Sequence, residues 1–305
     1  MKILFAGTPE VAVPSLRALH AAGHTIAAVV TRADAPVGRK RVLTPSPVAV
    51  AAEELGLGVV KANRLDATVT EQLLSFGAEL GVVVAYGGLV REPLLSTPRL
   101  GWVNLHFSLL PRWRGAAPVQ RAIAAGDAVT GADVFQLVPA LDAGDVFGRI
   151  ERPVAADDTA GSMLDALSVD GASLLVDVVA QLEAGTAVAV PQTGEVTLAP
   201  KLTIDDARID WTLPLASVDS RIRGMTPEPG AFTEIDGARF KVLEARPAPD
   251  AAPLAPGTIR SVAGRVLAGT ADVPLELRRV HPAGKTPMSA ADWWRGAGTD
   301  EVIAG

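Results

Sequence analysis

KILFAGTPEVAVPSLRALHAAGHTIAAVVT, residues 2–31, decides the fold. Lys2 to Ala6 is a short apolar run that reads as a buried strand, and Ala6-Gly7-Thr8-Pro9 reads as a turn. Pro14 opens a helix with Leu16 and Leu19 on one face, and Gly23 ends it. Thr25 to Thr31 follows as a β-branched strand. Strand, helix and strand in about thirty residues is the βαβ unit of a parallel sheet.

The alternation continues outward. Pro47 to Leu55 predicts a helix stopped by Gly56, Val59-Val60 a strand, Thr68 to Phe76 a helix and Leu80 to Ala85 a continuous apolar strand. Val103 to His106 predicts the next strand, and Ala116 to Ala125 a helix closed by Gly126. Strands without polar alternation are covered on both faces, so the expected class is α/β, a Rossmann-like, doubly wound, mostly parallel sheet. From Thr159 to Ala184, Met163, Leu164, Leu167, Leu174, Leu175, Val178, Val179 and Leu182 recur at helical spacing. Gly171 is expected to divide this helix and Gly185 to end it. Val188 to Asp206, with Pro191 and Pro200, reads as a linker. Beyond it lie short β-prone pieces (Ala231–Ile235, Arg239–Leu243, Gly257–Ile259, Arg265–Leu267, Leu275–Val280) broken by Asp236-Gly237 and Gly264. They predict a small barrel or sandwich, with an OB-like β-barrel as the expected form. The expected organisation is a catalytic domain over 1–187, a linker over 188–206 and a C-terminal domain over 207–305.

Composition narrows the function. The 305 residues are 49% hydrophobic, yet no apolar run approaches the length of a membrane helix. The apolar stretch after Met1-Lys2 is too short for a secretory signal core, so a cytoplasmic protein is expected. The absence of cysteine excludes disulfides and thiolate-bound zinc. Net charge is −6, but residues 207–305 hold 12 basic and 12 acidic side chains, so all of the excess lies in the remainder. A neutral C-terminal part on an acidic chain can still meet a polyanion through local basic patches. One such patch is Arg39-Lys40-Arg41, in the long Pro- and Gly-containing loop 32–47, which is either an anion site or a solvated loop.

Ala6-Gly7-Thr8-Pro9 has too few glycines for a dinucleotide site, and neither a P-loop nor HExxH is present. No metal site is expected. His20 and His24 straddle the end of a helix, where surface or capping roles outweigh metal ligation, and His281 reads as structural.

The informative stretch is VNLHFSLLPRWRGAAP, residues 103–118. Asn104 and His106 are two apart, so they project to one face at the carboxyl end of a strand, where open α/β sheets place ligands. Asp142, in Leu141-Asp142-Ala143-Gly144-Asp145, is either an ordinary turn carboxylate or the third member of the site. A carboxylate near an imidazole orients it and favours its cationic form. Amide, imidazole and carboxylate together can stabilise an oxyanion and move a proton. With no cysteine and no Gly-x-Ser-x-Gly elbow, they point to transfer onto an external nucleophile.

Asn-x-His-x-Ser-Leu-Leu-Pro, Arg-Trp-Arg-Gly-Ala-Ala-Pro and Leu-Asp-x-Gly-Asp closely resemble the folate-dependent formyltransferases. The likeness extends over nearly the whole chain. It includes Phe5 to Glu10, Gly38-Arg39 through Pro45-Ser46-Pro47, Val84 to Gly87, Lys201-Leu202, Ala207 to Trp211, Pro282 to Lys285 and Met288 to Ala290. It is nearest to members that formylate an aminoacyl-tRNA. The resemblance implies 10-formyltetrahydrofolate as donor, the α-amino group of initiator methionyl-tRNA as acceptor, no metal, and a monomer. It implies Asn104, His106 and Asp142 as the catalytic residues. Folate would lie along Tyr86, Gly87 and Leu89, the Ser108-Leu109-Leu110-Pro111 turn and Val138, and Arg39, Lys40, Arg41, Arg112 and Arg114 would face tRNA. Trp113 either packs near the acceptor or belongs to the core.

Two departures stand out: Asp133 where relatives lead one to expect a small polar residue, and Glu228 where many carry tryptophan. The Asp133 charge would either disturb its surroundings or sit exposed. The rival readings are a formyltransferase for a small amine such as a sugar nucleotide, and a catalytically silent RNA-binding protein. The basic loop and the C-terminal domain argue against the first, and the intact polar trio against the second. A dinucleotide-dependent dehydrogenase stands third, lacking the glycines.

Overall fold

The computed structural model describes residues 1–38 and 40–305; Arg39, expected to face RNA, lies outside the described residues. The chain forms two compact units, one of Met1–Pro118, Thr130–Arg152 and Leu164–Pro200, the other of Val119–Val129, Pro153–Met163 and Lys201–Gly305.

The first unit is built on strands β1 (Lys2–Gly7), β2 (Thr25–Thr31), β5 (Val59–Lys61), β6 (Leu80–Val84), β7 (Trp102–His106), β9 (Val129–Gln136) and β10 (Val146–Pro153), in the sheet order β10-β9-β7-β6-β1-β2-β5. Helices α1 (Val13–Ala21), α2 (Pro47–Glu54) and α3 (Ala67–Ser75) occupy the predicted crossovers. Ser46 caps α2 and Asp66 caps α3, each side chain accepting a main-chain N–H of the first turn. β1, β2, β5, β6 and β7 pair in parallel, whereas β9 runs antiparallel to β7. Leu4, Ala6, Val83, Trp102 and Leu73 of α3 share one core, while Ile3 and Phe5 are buried on the opposite face. At Gly81 a Cβ would lie 1.9 Å from the Trp102 ring, so only glycine lets the indole lie across the neighbouring strand.

Helix α5 (Ala160–Ala184) is a single helix of 25 residues, not two. A Cβ at Gly171 would stand 3.1 Å from the Leu105 side chain. The glycine serves close packing behind β7, and the surrounding helical residues hold its backbone in place. Residues 32–47 are not a structureless loop either: β3 (Ala35–Val37) and β4 (Val42–Thr44) form an antiparallel hairpin. Val37, Val42 and Leu43 are exposed on it, as are Lys40 and Arg41 near its tip.

In the second unit, β12 (Phe232–Ile235), β13 (Ala238–Pro247), β14 (Thr258–Val262), β15 (Arg265–Ala268), β16 (Leu275–Pro282) and β18 (Val302–Ile303) run in the order β12-β13-β16-β15-β14-β18. β17 (Met288–Ser289) adds to β16. The pairings between these strands are antiparallel. Glu234 and Gly305 exchange both main-chain hydrogen bonds (2.9 and 3.0 Å), which joins the two edges and closes the sheet into a barrel. Helices α4 (Pro118–Ala124), α6 (Leu215–Gly224) and α7 (Ala290–Arg295) complete the elements. The sequence reading leaves out α6 and α7, although Val218 and Ile222 of α6 sit four apart in the barrel core. Glu228 is exposed.

Asp206 ties α4 to the start of the second unit's long segment, accepting from Arg121 (2.8 Å) and from the Thr203 N–H (2.7 Å). These bonds pull its carboxyl pKa down from 3.8 to about 2, the Arg121 contact most of all. A carboxyl more acidic in the folded than in the unfolded chain stabilises the fold above pH ~4, and that contribution is lost as pH falls toward ~2. The melting-temperature gap between wild type and Asp206→Asn is therefore expected to be widest near neutrality and to close by about pH 2. A gap that persists undiminished in acid contradicts this assignment.

Candidate active site

β6 and β7 are parallel neighbours, with Val83 beside Asn104, so the segments after Val84 and after His106 leave the same edge of the sheet. At that edge Asn104 is half-buried, and its amide carries no hydrogen bond among the described residues. His106 is buried and packs edge-on to Phe135 at 6.2 Å. Its Nε2 lies 2.9 Å from the Trp113 carbonyl oxygen. A carbonyl only accepts, so Nε2 carries a hydrogen and Nδ1 is the nitrogen left for chemistry. Nδ1 faces Asp142, 3.9 Å from Oδ2.

Asp142 reaches this point on a tightly folded loop. Its φ of 44° is in the left-handed region, which Asp tolerates better than most residues. Its Oδ2 accepts the Gly115 N–H at 2.8 Å. A Cβ at Gly144 would lie 1.7 Å from the Gln136 carbonyl oxygen, so the turn closes only with glycine there. The structure thus brings His106 and Asp142 together and, among the described residues, leaves the Asn104 amide without a hydrogen bond on the same strand face as His106.

The turn after His106 is held from below. Ser108 Oγ donates to Arg112 O (2.7 Å), and Asp133 Oδ2 accepts the Leu110 N–H (2.8 Å). Asp133 stands opposite His106 in the β7–β9 register. It is neither exposed nor disruptive, correcting the expectation for this position. It is fully buried and takes a two-pronged contact from Arg149, with Nε on Oδ1 (2.8 Å) and Nη2 on Oδ2 (2.7 Å). Arg149 Nη2 also donates to Leu110 O at 2.6 Å. Burial pushes the Asp133 carboxyl up while Arg149 pulls against it; three donors on two oxygens are the surroundings of an ionised carboxylate. Asp133→Ala would strand the Leu110 N–H and the guanidinium together. It is expected to destabilise the unit by about 2–4 kcal/mol, read as a lower urea midpoint with an unchanged slope. A midpoint equal to that of the wild type would overturn it.

The expected folate residues divide into two kinds. Gly87 and Leu89 are exposed beyond β6, and Leu109 and Val138 are half-buried. Tyr86, Ser108, Leu110 and Pro111 are buried. The Tyr86 hydroxyl donates to Ala62 O (2.8 Å) and its carbonyl accepts from Thr8 Oγ1 (3.0 Å), so its side chain braces the turn from inside the core. Arg32, not among the expected site residues, donates to Gly87 O at 2.9 Å and holds the same turn. A cavity of about 320 Å³ is lined by Leu110, Val146 to Arg149 and Val190 to Thr193, and takes in Leu110 alone of the expected folate residues.

Of the basic residues, Lys40 and Arg41 are exposed, and Arg112 stacks at 5.5 Å over the half-buried Trp113 ring. Arg114 donates through Nε (3.2 Å) and Nη2 (2.5 Å) to Gln192 Oε1. Residues 190–199, read from the sequence as linker, are stitched into this unit. Val190 pairs with Val146, β11 (Leu198–Ala199) pairs with β8 (Arg114–Gly115), and Thr197 Oγ1 accepts the Trp113 N–H at 2.9 Å. No apolar periodicity marks this segment, which is why sequence reasoning missed it. Elsewhere, His24 is buried against the terminal ammonium and Glu183, not at the surface, and His281 holds the Lys285 carbonyl of its own turn. Among the described residues no group of His, Asp or Glu could hold a metal ion, and no helix is long and apolar enough to cross a membrane.

The chain matches one class of enzyme, the formyl group transferases. Residues 1–179 match the formyl transferase family and residues 201–298 match the formyl transferase C-terminal domain. The chain is 62% identical over 304 residues to a methionyl-tRNA formyltransferase of Clavibacter sepedonicus, covering 100% of both chains. With that identity across its full length, the chain belongs to the methionyl-tRNA formyltransferase family. Among solved structures, it resembles HypX from Aquifex aeolicus in complex with tetrahydrofolic acid (TM-score 0.65, 17% identity, 96% of this chain and 46% of that one). It also resembles a methionyl-tRNA formyltransferase from Clostridium thermocellum (TM-score 0.55, 16% identity, 80% and 92%). At those identities the likeness is one of fold.

Proposed function

We propose that this protein transfers the formyl group of 10-formyltetrahydrofolate to the α-amino group of initiator methionyl-tRNA, as a cytoplasmic monomer serving translation initiation. The observation that carries the chemistry is an Asn104 amide with no hydrogen bond among the described residues, beside an imidazole whose Nδ1 faces Asp142 at 3.9 Å. The neutral amine attacks the formyl carbon and negative charge builds on the formyl oxygen. Asn104 donates its amide hydrogen to that oxygen. His106, in its cationic form, adds Nδ1–H and is held in line by its Nε2–H bond to Trp113 O. Asp142 stabilises the imidazolium and relays the amine's proton, through water, toward the folate nitrogen that leaves as the C–N bond breaks.

Gly87, Leu89, Leu109 and Val138 would contact folate, with Tyr86, Ser108, Leu110 and Pro111 shaping its slot. Lys40 and Arg41 on the exposed hairpin, with Arg39, Arg112 and Arg114, would meet tRNA phosphates, and the barrel over 207–305 would grip the tRNA by shape and charge. The test is formyl transfer to charged initiator tRNA, with elongator methionyl-tRNA and a sugar-nucleotide amine in parallel. Transfer to the initiator alone is expected; transfer only to the small amine would overturn the tRNA reading and leave the chemistry standing.

A further inference from the structure

We propose that Gln192 is a positioning residue that couples Arg114 to the catalytic aspartate loop; this rests on Arg114 being a tRNA-facing residue, as read above. Gln192 Nε2 donates to two main-chain carbonyls of that loop, Asp142 O and Gly144 O, each at 2.8 Å. Its Oε1 takes both Nε and Nη2 of Arg114. The primary amide thus has both hydrogens and its oxygen engaged, and an amide is planar. The orientation that satisfies Arg114 at one end is the one that aims the two N–H groups at the other.

The loop depends on those bonds. Asp142 has its left-handed φ of 44°, and its carboxylate must stand opposite His106 Nδ1. Gln192 holds the loop's main chain, and the one hydrogen bond to the Asp142 carboxylate among the described residues comes from the Gly115 N–H, next to Arg114. Arg114 and Asp142 are therefore joined twice, through Gly115 and through Gln192. Gln192 occupies one edge of the guanidinium, and Nη1 carries no hydrogen bond among the described residues. A phosphate can take that nitrogen while Gln192 keeps its hold. RNA docking at Arg114 then steadies the amide plane, and with it the distance from Asp142 to His106. Misplacing a catalytic group by about 1 Å can cost on the order of 10²-fold in rate, so the link converts acceptor-end binding into turnover.

The test uses the full-length enzyme with initiator methionyl-tRNA and the variants Gln192→Met, Gln192→Glu, Arg114→Ala and the Gln192→Met/Arg114→Ala double. Gln192→Met keeps the length and removes every polar contact. Gln192→Glu keeps the acceptor for Arg114 but sets a carboxylate against two carbonyls. Both are expected to lower kcat by roughly 10- to 100-fold and to shift the pH profile of kcat, because the spacing of Asp142 and His106 changes. A purely structural role would lower the melting temperature and leave that profile in place. Arg114→Ala is expected to raise KM for tRNA and to lower kcat, and the double variant to be no slower than the slower single. Unchanged kcat in both Gln192 variants, an unmoved pH profile, or effects of the two sites that multiply in the double variant would overturn the coupling. An unchanged KM for tRNA in Arg114→Ala, with kcat still lost in Gln192→Met, would instead overturn the tRNA reading of Arg114.

Discussion

His106→Ala is expected to lower kcat for formyl transfer by about 10²–10⁴-fold, the range for removing a positioned acid–base group. Asn104→Ala should lower it by about 10²–10³-fold, as for losing one oxyanion donor. The two variants differ in stability. The Asn104 amide has no hydrogen bond among the described residues, so its removal leaves nothing unsatisfied and the melting temperature should stay close to that of the wild type. His106 donates to Trp113 O and packs on Phe135, so its removal should cost stability as well as rate. Single-turnover rates with saturating tRNA, alongside thermal melts, check both. A His106→Ala enzyme within tenfold of the wild-type rate would remove the imidazole from the mechanism.

Asp142→Asn isolates charge from geometry. Asparagine tolerates the left-handed φ of 44° and can still accept the Gly115 N–H, so the loop should survive. What disappears is the negative charge facing His106 Nδ1, and kcat is expected to fall by about 10²–10⁴-fold. Asp142→Ala removes the acceptor too and should also lower the melting temperature. The comparison reads directly in kcat and melts of the two variants. If the Asn variant retains wild-type rates, the carboxylate serves only to hold Gly115.

Much of the fold was legible because burial writes itself in residue type. β2 came out with the bounds read from Thr25 to Thr31, and β1, β6 and β7 each differ by one residue, since strands covered on both faces are apolar without interruption. The placement of Asn104 and His106 on one face followed from strand geometry alone. Gly171 shows where such reading stops. A glycine within a helical pattern lowers helix propensity locally, and its packing partner, Leu105, is distant in sequence. The hairpin in residues 32–47 was hidden for a similar reason: its strands are three residues long and exposed, so no buried face imposes a pattern.

By itself, then, the amino-acid order determined the parallel sheet, the strand edge that carries Asn104 and His106, the glycine-dependent Asp142 turn and the family resemblance. These rest on local periodicity, steric limits at single residues, and short motifs. The partners of the site were decided only by tertiary structure. Asp133 finds Arg149 and Leu110, and Gln192 joins Arg114 to Asp142, across 16 to 78 positions of chain. A hydrogen bond across such a gap leaves no periodic trace in either segment, because its geometry exists only once the sheet has set both ends.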